Sequence, residues 1–275
     1  MMFFRGFDPF WVSGPLGEMM NKATDFGLAG RWQKLVLEFD RVASPVTRPL
    51  LEDLGGSSGL AGAMAHICAR RLGEVVDQQL LVRELEEALM PHEEALWADL
   101  DAVSYRDPAC QHPLEAMIFY KGYQSIAGYR AAHSWWHGSR QVEARYLQSR
   151  MAEVFTVDIH PACDIGEGLM IDHAHNVVIG ETARIGKNCS ILHGVTLGGT
   201  GKVRGDRHPK IGDGVMIGAG AKILGNVQVG HCVRVASGSV VTHDVEPNVT
   251  VAGVPAKVIG DAGCPEPSTF MAQEF

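Results

Sequence analysis

The sequence predicts an α+β protein, with an N-terminal all-helical domain followed by a parallel β-helix of hexapeptide repeats. Apolar residues recur at the spacing of one helix face before residue 157, whereas aliphatic residues recur every six positions after it. All five tryptophans precede residue 157, and glycine becomes more frequent beyond it. We therefore divide the 275 residues into 1–156, 157–260 and a C-terminal tail, 261–275.

Helical periodicity covers most of the first domain. In the segment 142–155, apolar side chains return every three or four residues and so fall on one helix face. Similar patterns predict helices at roughly 31–43, 60–72, 78–100 and 113–137. Four prolines are the expected breaks or starts of these helices: Pro45, Pro91, Pro108 and Pro113.

The six-residue period of the second domain fits a short strand plus a turn, with three such sides closing one triangular coil. The repeat slips by two residues after Val177 and by about eight between Leu197 and Ile211. The pattern resembles the left-handed parallel β-helix of acyltransferases. Its aliphatic positions are Ile159, Ile165, Ile171, Val177, Ile179, Ile185, Ile191, Leu197, Ile211, Ile217, Ile223, Val229, Val235 and Val241.

Composition excludes several classes of protein. The net charge of −8 provides no positive field for nucleic acid. The longest stretch without charged residues, 54–69, is too short to span a bilayer, and the N-terminus lacks a signal-peptide pattern, so we expect a cytoplasmic protein. Six cysteines without a CxxC pair indicate reduced thiols, and the repeat directs Cys163 and Cys189 into the core.

Stacking of the coils brings polar residues together. His173 and His193 both follow an aliphatic position by two residues, one coil apart, so they are expected to lie one above the other on the outside. Asp158 and Asp172 add carboxylates to the same region. Because the two-residue slip of the repeat comes directly after His175, we expect a local bulge that leaves His175 partly exposed.

A second candidate site is the insertion in the repeat, residues 198–210. A long excursion from a tight repeat is more often functional than accidental. Arg207 offers two parallel hydrogen bonds to a carboxylate, and His208 beside it offers another donor.

Residues 105–260 resemble the serine O-acetyltransferase family, a resemblance that rests on several strings as well as on the hexads. These strings include Arg106-Asp107-Pro108-Ala109, Tyr120-Lys121-Gly122, Ile171-Asp172-His173-Ala174, Gly205-Asp206-Arg207-His208-Pro209-Lys210 and Ala252-Gly253-Val254-Pro255-Ala256.

The resemblance implies transfer of an acetyl group from acetyl-CoA to the hydroxyl of L-serine, which gives O-acetyl-L-serine and CoA. A serine hydroxyl is a weak nucleophile, so a base must remove its proton. By resemblance, His173 is that base and Asp158 orients it. For the serine itself, the resemblance assigns the ammonium to Asp107 and Asp172.

The same resemblance assigns the serine carboxylate to Arg207 and His208. The CoA groove is expected near Gly199, Ala219 and Gly220, where small residues allow a close approach of the backbone. Lys222 and Lys257 are candidate contacts for the CoA phosphates. No metal is required by this chemistry.

Partners also follow from the resemblance. We expect a homotrimer or a dimer of trimers, with sites between subunits and the helical domain pairing two trimers. L-Cysteine is expected to act as a feedback inhibitor that competes with L-serine. Many relatives bind O-acetylserine sulfhydrylase through a terminal Ile, whereas this chain ends in Phe275, so we expect weak or absent complex formation.

Three other functions remain open at this point. One is a hexapeptide-repeat acetyltransferase with a sugar or xenobiotic acceptor. Another is a zinc-dependent lyase similar to carbonic anhydrases, with ligands among His173, His175, His193 and His208. The third is a non-catalytic scaffold that trimerises through the prism.

Overall fold

A computed structural model describes residues 27–42, 44–201, 204–263 and 265–271. The described residues between 27 and 155 are mainly helical, and a 3-10 turn at Met90–His92 separates two of the helices. The helices are α1 (Gly27–Val42), α2 (Arg48–Gly55), α3 (Leu60–Leu72), α4 (Gln78–Leu89), α5 (Glu93–Arg106), α6 (Pro113–Phe119), α7 (Lys121–His137) and α8 (Gln141–Phe155).

The helical domain differs from the sequence prediction in three places. The helix predicted at 78–100 breaks at Pro91, as also predicted, but its second part continues to Arg106, beyond the predicted end at residue 100. The predicted helix 113–137 is broken at Tyr120, whose extended backbone caps α7. Helix α2 was not predicted, because its eight residues offer too short a periodic pattern.

The second domain is a parallel β-helix, which confirms the predicted α+β fold class. Its strands form three sheets, with the orders β1-β4-β7-β10-β13, β11-β8-β5-β2 and β15-β14-β12-β9-β6-β3. The strands are β1 (Val157–Ile159), β2 (Asp164–Ile165), β3 (Met170–Ile171), β4 (Val177–Ile179), β5 (Arg184–Ile185), β6 (Ser190–Ile191), β7 (Thr196–Gly198), β8 (Lys210–Ile211), β9 (Met216–Ile217), β10 (Lys222–Leu224), β11 (Gln228–Val229), β12 (Arg234–Val235), β13 (Val240–Val241), β14 (Val249–Gly253) and β15 (Ala256–Asp261). Neighbouring strands are parallel except for the final hairpin of β14 and β15.

Strand register locates both irregularities of the repeat. Val177 lies opposite Val157, so the first coil is two residues longer than the regular one. Thr196 lies opposite Lys222, so the coil between them carries the eight extra residues that the sequence predicts. Lys222 in turn lies opposite Val240 at the regular spacing of 18 residues, which shows that the register recovers beyond the insertion.

The interior of the prism is aliphatic, with two thiols among the aliphatic side chains. Cys163 and Cys189 are buried, as predicted from the repeat. Burial raises the pKa of the Cys189 thiol to about 12, and its Sγ donates to the carbonyl of Gly212 at 3.1 Å. These cysteines are therefore packing residues, and neither is a nucleophile.

A buried ion pair attaches the helical domain to the first coil of the β-helix. Asp99 on α5 accepts from Nε and Nη2 of Arg130 on α7, at 2.7 and 2.9 Å. Asp99 also accepts from the backbone N–H of Leu169, and Arg130 donates to the carbonyl of Gly166. Both charged side chains are almost completely buried, so each is compensated by the other and by backbone groups of the coil.

The segment after β15 folds back onto the β-helix. Its short helix α9 (Pro267–Phe270) includes the buried residue Ser268, whose carbonyl accepts from Ser190 Oγ at 2.8 Å. Nη2 of Arg234 donates to the carbonyl of Ala262 at 2.6 Å. Phe275, on which the prediction about the sulfhydrylase depends, lies outside the described residues.

Candidate active site

The two extra residues of the first coil lie in the corner between β3 and β4, residues 172–176, which we call the histidine corner. Left-handed φ angles at His173, Ala174 and Asn176 turn the chain outward there. His175 is exposed, as the predicted bulge requires. The His173 ring is also exposed and lies 5.7 Å from the His193 ring of the next coil, which confirms that these two histidines are neighbours.

Two carboxylates accompany His173. An oxygen of Asp172 lies 3.9 Å from its Nε2. Burial raises the pKa of Asp172, and the charge of Asp107 adds to this effect. Asp107 comes from the other domain, at the C-terminal end of α5, where its side chain accepts from the N–H of Ala109 at 2.8 Å. The two domains therefore bring two negative charges to one corner.

Arg106 explains how Asp107 reaches that corner. Its buried guanidinium donates to the carbonyls of Gly168 and Cys189, both at 3.0 Å, and to Ser190 Oγ at 3.1 Å. These three acceptors belong to two successive coils. Arg106 thus fixes the end of α5 on the β-helix one residue before Asp107.

Gly122 brings α7 against the same corner. A Cβ atom on Gly122 would lie 2.0 Å from the carbonyl oxygen of Ile171, so only glycine permits this approach. Ile171 directly precedes Asp172 in the chain. Next to Gly122, Lys121 donates through Nζ to the carbonyl of Phe155 at 2.8 Å, which holds the start of α7 near β1.

Asp158 lies on β1 and is only partly buried. Its Oδ1 accepts from Nε2 of Gln148 on α8 at 2.7 Å. Among the described residues, the carboxylate of Asp172 lies within 4.0 Å of a His173 ring nitrogen, whereas that of Asp158 does not. Gln148 uses one oxygen of Asp158 and leaves the other as an acceptor.

The insertion forms a second cluster beside the corner that follows β4. We call Glu181, Thr182, Arg207 and His208 the arginine corner. Arg207 donates through Nη2 to Glu181 at 2.7 Å and through its backbone N–H to the Thr182 hydroxyl at 3.0 Å. The hydrogen bond from Arg207 lowers the pKa of Glu181. The end of the excursion is therefore fixed to the preceding coil.

Hydrogen bonds determine the tautomer of His208. Its Nδ1 accepts from the backbone N–H of Thr182 at 3.2 Å, so the proton of the neutral ring is on Nε2. Burial lowers the pKa of His208, and the charge of Arg207 lowers it further, which favours that neutral form. The ring packs directly on Gly180, where a Cβ would lie 2.0 Å from Nε2. His208 is thus prepared to donate from Nε2.

Within one chain the two corners do not meet. Strand β4 separates them, so they lie at opposite ends of one side of the prism, roughly 15–20 Å apart. His208 is therefore remote from His173 and His193. In the described part of the chain these three histidines form no group of three metal-ligating side chains within 4.8 Å.

The residues predicted to contact CoA fall into two groups, one near the histidine corner and one near the arginine corner. Ala219 and Gly220 stack on the coil that carries His193, and Gly220 donates to the carbonyl of His193 at 2.8 Å. Lys222 continues the same edge, where its Nζ donates to the carbonyl of Gly194. Gly199 lies apart from them, because a Cβ there would lie 3.1 Å from both Arg207 and His208.

Lys257 is the remaining predicted CoA residue. It is exposed on β15, opposite Ala252 of β14. No described helix has the length and apolar character needed to cross a bilayer.

Sequence reasoning missed several residues of this site: Arg106, Gly122, Gln148, Glu181 and Thr182. All of them except Gln148 occur in strings that match the family, among them Gly180-Glu181-Thr182-Ala183, so the strings were the available signal. Their contacts are with residues distant in the chain, as for Arg106 and Gly168. Gln148 lies on a helix face with no motif to mark it.

A hexapeptide β-helix with a histidine between carboxylates and a cationic insertion defines an acyltransferase. Family models agree in both domains: residues 36–128 match "Serine acetyltransferase, N-terminal" and residues 208–243 match "Bacterial transferase hexapeptide (six repeats)". A serine acetyltransferase of Salmonella typhimurium is 45% identical over 220 residues, which cover 78% of this chain and 81% of that protein. The chain belongs to the serine acetyltransferase family.

Solved structures lead to the same family. A serine acetyltransferase in complex with cysteine has a TM-score of 0.85 and 40% identity, with 89% of this chain and 98% of that chain covered. The Brucella abortus enzyme in complex with coenzyme A has a TM-score of 0.81 and 46% identity, with 85% and 96% covered. The Neisseria gonorrhoeae enzyme in complex with serine has a TM-score of 0.81 and 43% identity, with 86% and 98% covered.

Proposed function

We propose that the protein transfers the acetyl group of acetyl-CoA to the hydroxyl of L-serine, with His173 as general base, to give the O-acetyl-L-serine used in cysteine biosynthesis. The observation that carries this proposal is the histidine corner, where an exposed imidazole lies beside Asp172 with Asp107 nearby. Solved family members in complex with serine and with coenzyme A support the choice of substrates.

His173 takes the proton of the serine hydroxyl as the oxygen attacks the thioester carbonyl. Collapse of the tetrahedral intermediate breaks the C–S bond, and the departing CoA thiolate takes the proton back from His173. Imidazole is the side chain best suited to accept a proton at neutral pH. Asp158 orients the ring and stabilises its charged form. The free oxygen of Asp158 accepts from the ring once the exposed His173 side chain rotates towards it, while Gln148 holds the other oxygen.

Two carboxylates and two donors recognise the amino acid. Asp107 and Asp172 receive the serine ammonium. Arg207 and the Nε2–H of His208 bind the serine carboxylate, with the guanidinium supplying donors beyond those that Glu181 uses. Discrimination against sugar acceptors follows, because a neutral sugar would leave these charges without partners.

Separation of the corners supports an active site between chains. A serine molecule is too small to contact His173 and Arg207 of one chain across a side of the prism. A homotrimer brings the histidine corner of one chain to the arginine corner of the next, and the helical domain then pairs trimers. The acetyl-CoA groove lies along the same interface, lined by Gly199, Ala219 and Gly220.

Lys222 and Lys257 contribute the positive charge along that groove for the CoA phosphates. L-Cysteine is proposed to inhibit by competing with L-serine, because it keeps the ammonium and the carboxylate and replaces only the hydroxyl by a thiol. A solved relative in complex with cysteine supports this proposal.

Subunit mixing tests the base and the shared site together. His173→Ala and Arg207→Ala should each reduce the release of CoA thiol with serine by roughly 100-fold or more at limiting serine. Random trimers from equal amounts of the two variants should recover about a quarter of wild-type activity, because one interface in four combines an intact His173 with an intact Arg207.

No recovery in verified mixed trimers would contradict a site between chains. Wild-type turnover in His173→Ala would contradict the assignment of the base. An acceptor panel completes the test, since preference for a sugar over L-serine would favour the alternative acetyltransferase. Phe275→Ile, compared with wild type for binding to a cognate sulfhydrylase, tests the expected weak complex.

A further inference from the structure

A second group of polar side chains lies where the helical domain contacts the first coil. His133 and His137 are one turn apart on α7, and Asp164 begins β2. One ring nitrogen of each histidine and one carboxylate oxygen lie within 4.8 Å of one another. Their rings are also in contact, with centroids 4.3 Å apart. None of these residues belongs to either corner of the active site.

The protonation of His133 suits a metal ligand. Its Nδ1 lies 2.9 Å from the carbonyl oxygen of Pro161, which can only accept, so Nδ1 carries a proton. The other ring nitrogen keeps its lone pair in the neutral form. A backbone carbonyl that fixes one nitrogen of a ligating imidazole is a common arrangement in metal sites.

We propose that His133, His137 and Asp164 bind one divalent transition-metal ion of the zinc type. Two imidazoles and one carboxylate form a borderline donor set that suits zinc, with water as a fourth ligand. This site is independent of the acetyl transfer, and the proposal does not rest on that activity.

Small movements complete the coordination. Ligand atoms of a tetrahedral zinc site lie roughly 3.3 Å apart when the bonds are about 2.0–2.1 Å long. The ligand atoms, which lie within 4.8 Å of one another, must therefore approach by at most about 1.5 Å. The side chains of His137 and Asp164 are exposed enough to make these movements. Arg184 competes weakly, since its Nε lies 3.5 Å from one oxygen of Asp164 and both side chains are mostly exposed.

Metal binding here connects the domains by a second route. Arg130, on the same helix as His133, already joins α7 to the coil at Gly166. An ion held between α7 and β2 adds a link close to that contact. The ligands are in place only in the folded protein, so zinc binding stabilises the docked arrangement of the two domains.

Competition with a chromophoric chelator measures zinc affinity of the full-length protein directly. We expect one site per chain and at least a 10-fold weaker affinity in His137→Asn and in Asp164→Asn. His231→Asn is the matched control, because His231 is an exposed histidine that lies 3.5 Å from a carboxylate, Asp213, elsewhere on the β-helix. Co²⁺ absorption provides a second readout, since tetrahedral coordination gives intense visible bands that the two ligand variants should lose.

Thermal unfolding provides a third readout. Zinc should raise the Tm of the wild type and of His231→Asn, but not that of His137→Asn. The proposal is overturned if the wild type binds no zinc at 100-fold molar excess. It is equally overturned if both ligand variants bind zinc as tightly as the wild type, which would locate the ion at other histidines.

Discussion

Replacing Asp99 by Asn tests how strongly the buried ion pair holds the two domains together. The substitution keeps the size of the side chain and one carbonyl oxygen for the Leu169 N–H, but it removes the charge that compensates Arg130. The guanidinium is 4% exposed and cannot reach water without moving α7. Leaving one partner of a buried pair uncompensated costs about 3–5 kcal/mol of unfolding free energy.

We expect the lower part of that range for Asp99→Asn, because the amide still accepts a hydrogen bond. A loss of about 3 kcal/mol corresponds to a Tm decrease of roughly 6–12 °C for a chain of this size. Urea unfolding followed by circular dichroism, together with a thermal scan, gives both quantities. The double variant Asp99→Leu with Arg130→Met leaves no buried charge but removes the partners of the Leu169 N–H and the Gly166 carbonyl, so it should be no more destabilised than Asp99→Asn although it changes two side chains.

Glu84→Gln is the matched control. Glu84 pairs with Arg140 at 2.6 Å, but both side chains are about one-third exposed, so its loss should cost less than about 1 kcal/mol. If Asp99→Asn is no more destabilised than Glu84→Gln, the ion pair does not hold the domains together.

Three further changes test the steric and electrostatic arguments. Gly122→Ala should cost about 1–3 kcal/mol because of the carbonyl of Ile171, whereas Gly55→Ala, with open space around it, is the control; equal urea midpoints would refute the steric argument. Burial lowers the pKa of His92 to about 4, so its contribution to stability is present above pH 6.5 and is lost as the pH falls towards 4, where the unfolded chain has already bound the proton. His92→Gln should therefore lose less stability between pH 7 and pH 5, and an equal loss in both proteins would contradict this account. Burial raises the pKa of Asp172. As the pH is lowered, kcat/KM for serine should therefore begin to fall at a pH above the usual titration range of an aspartate, and a pH profile that is unchanged in Asp172→Asn would refute this role.

The repeat could be predicted from sequence because every coil follows the same six-residue pattern. Aliphatic residues at every sixth position identify the inward side, and a change of spacing identifies the bulge at His175 and the insertion before Arg207. Each of these features is a property of neighbouring residues in the chain. The pairing of His173 with His193 follows from the same rule.

Docking between the domains could not be predicted in this way. In the sequence, Asp99 and Arg130 resemble ordinary charged residues of solvent-exposed helix faces. Only the fold shows that they are buried against each other. The hydrogen bond from Gln148 to Asp158 likewise depends on the contact between α8 and β1. A single sequence gives the residue types for such contacts, but not the rigid-body placement that joins them.

The excursion before Arg207 leaves the prism and returns to it without disturbing the register on either side. Strands β7 and β10 pair directly, although the chain between them carries the extra loop. Such a coil tolerates exchange of the whole segment, because no neighbouring strand has to slide. Evolution can therefore replace this one loop, and with it Gly199 and Arg207, without altering the coils that carry His173 and His193.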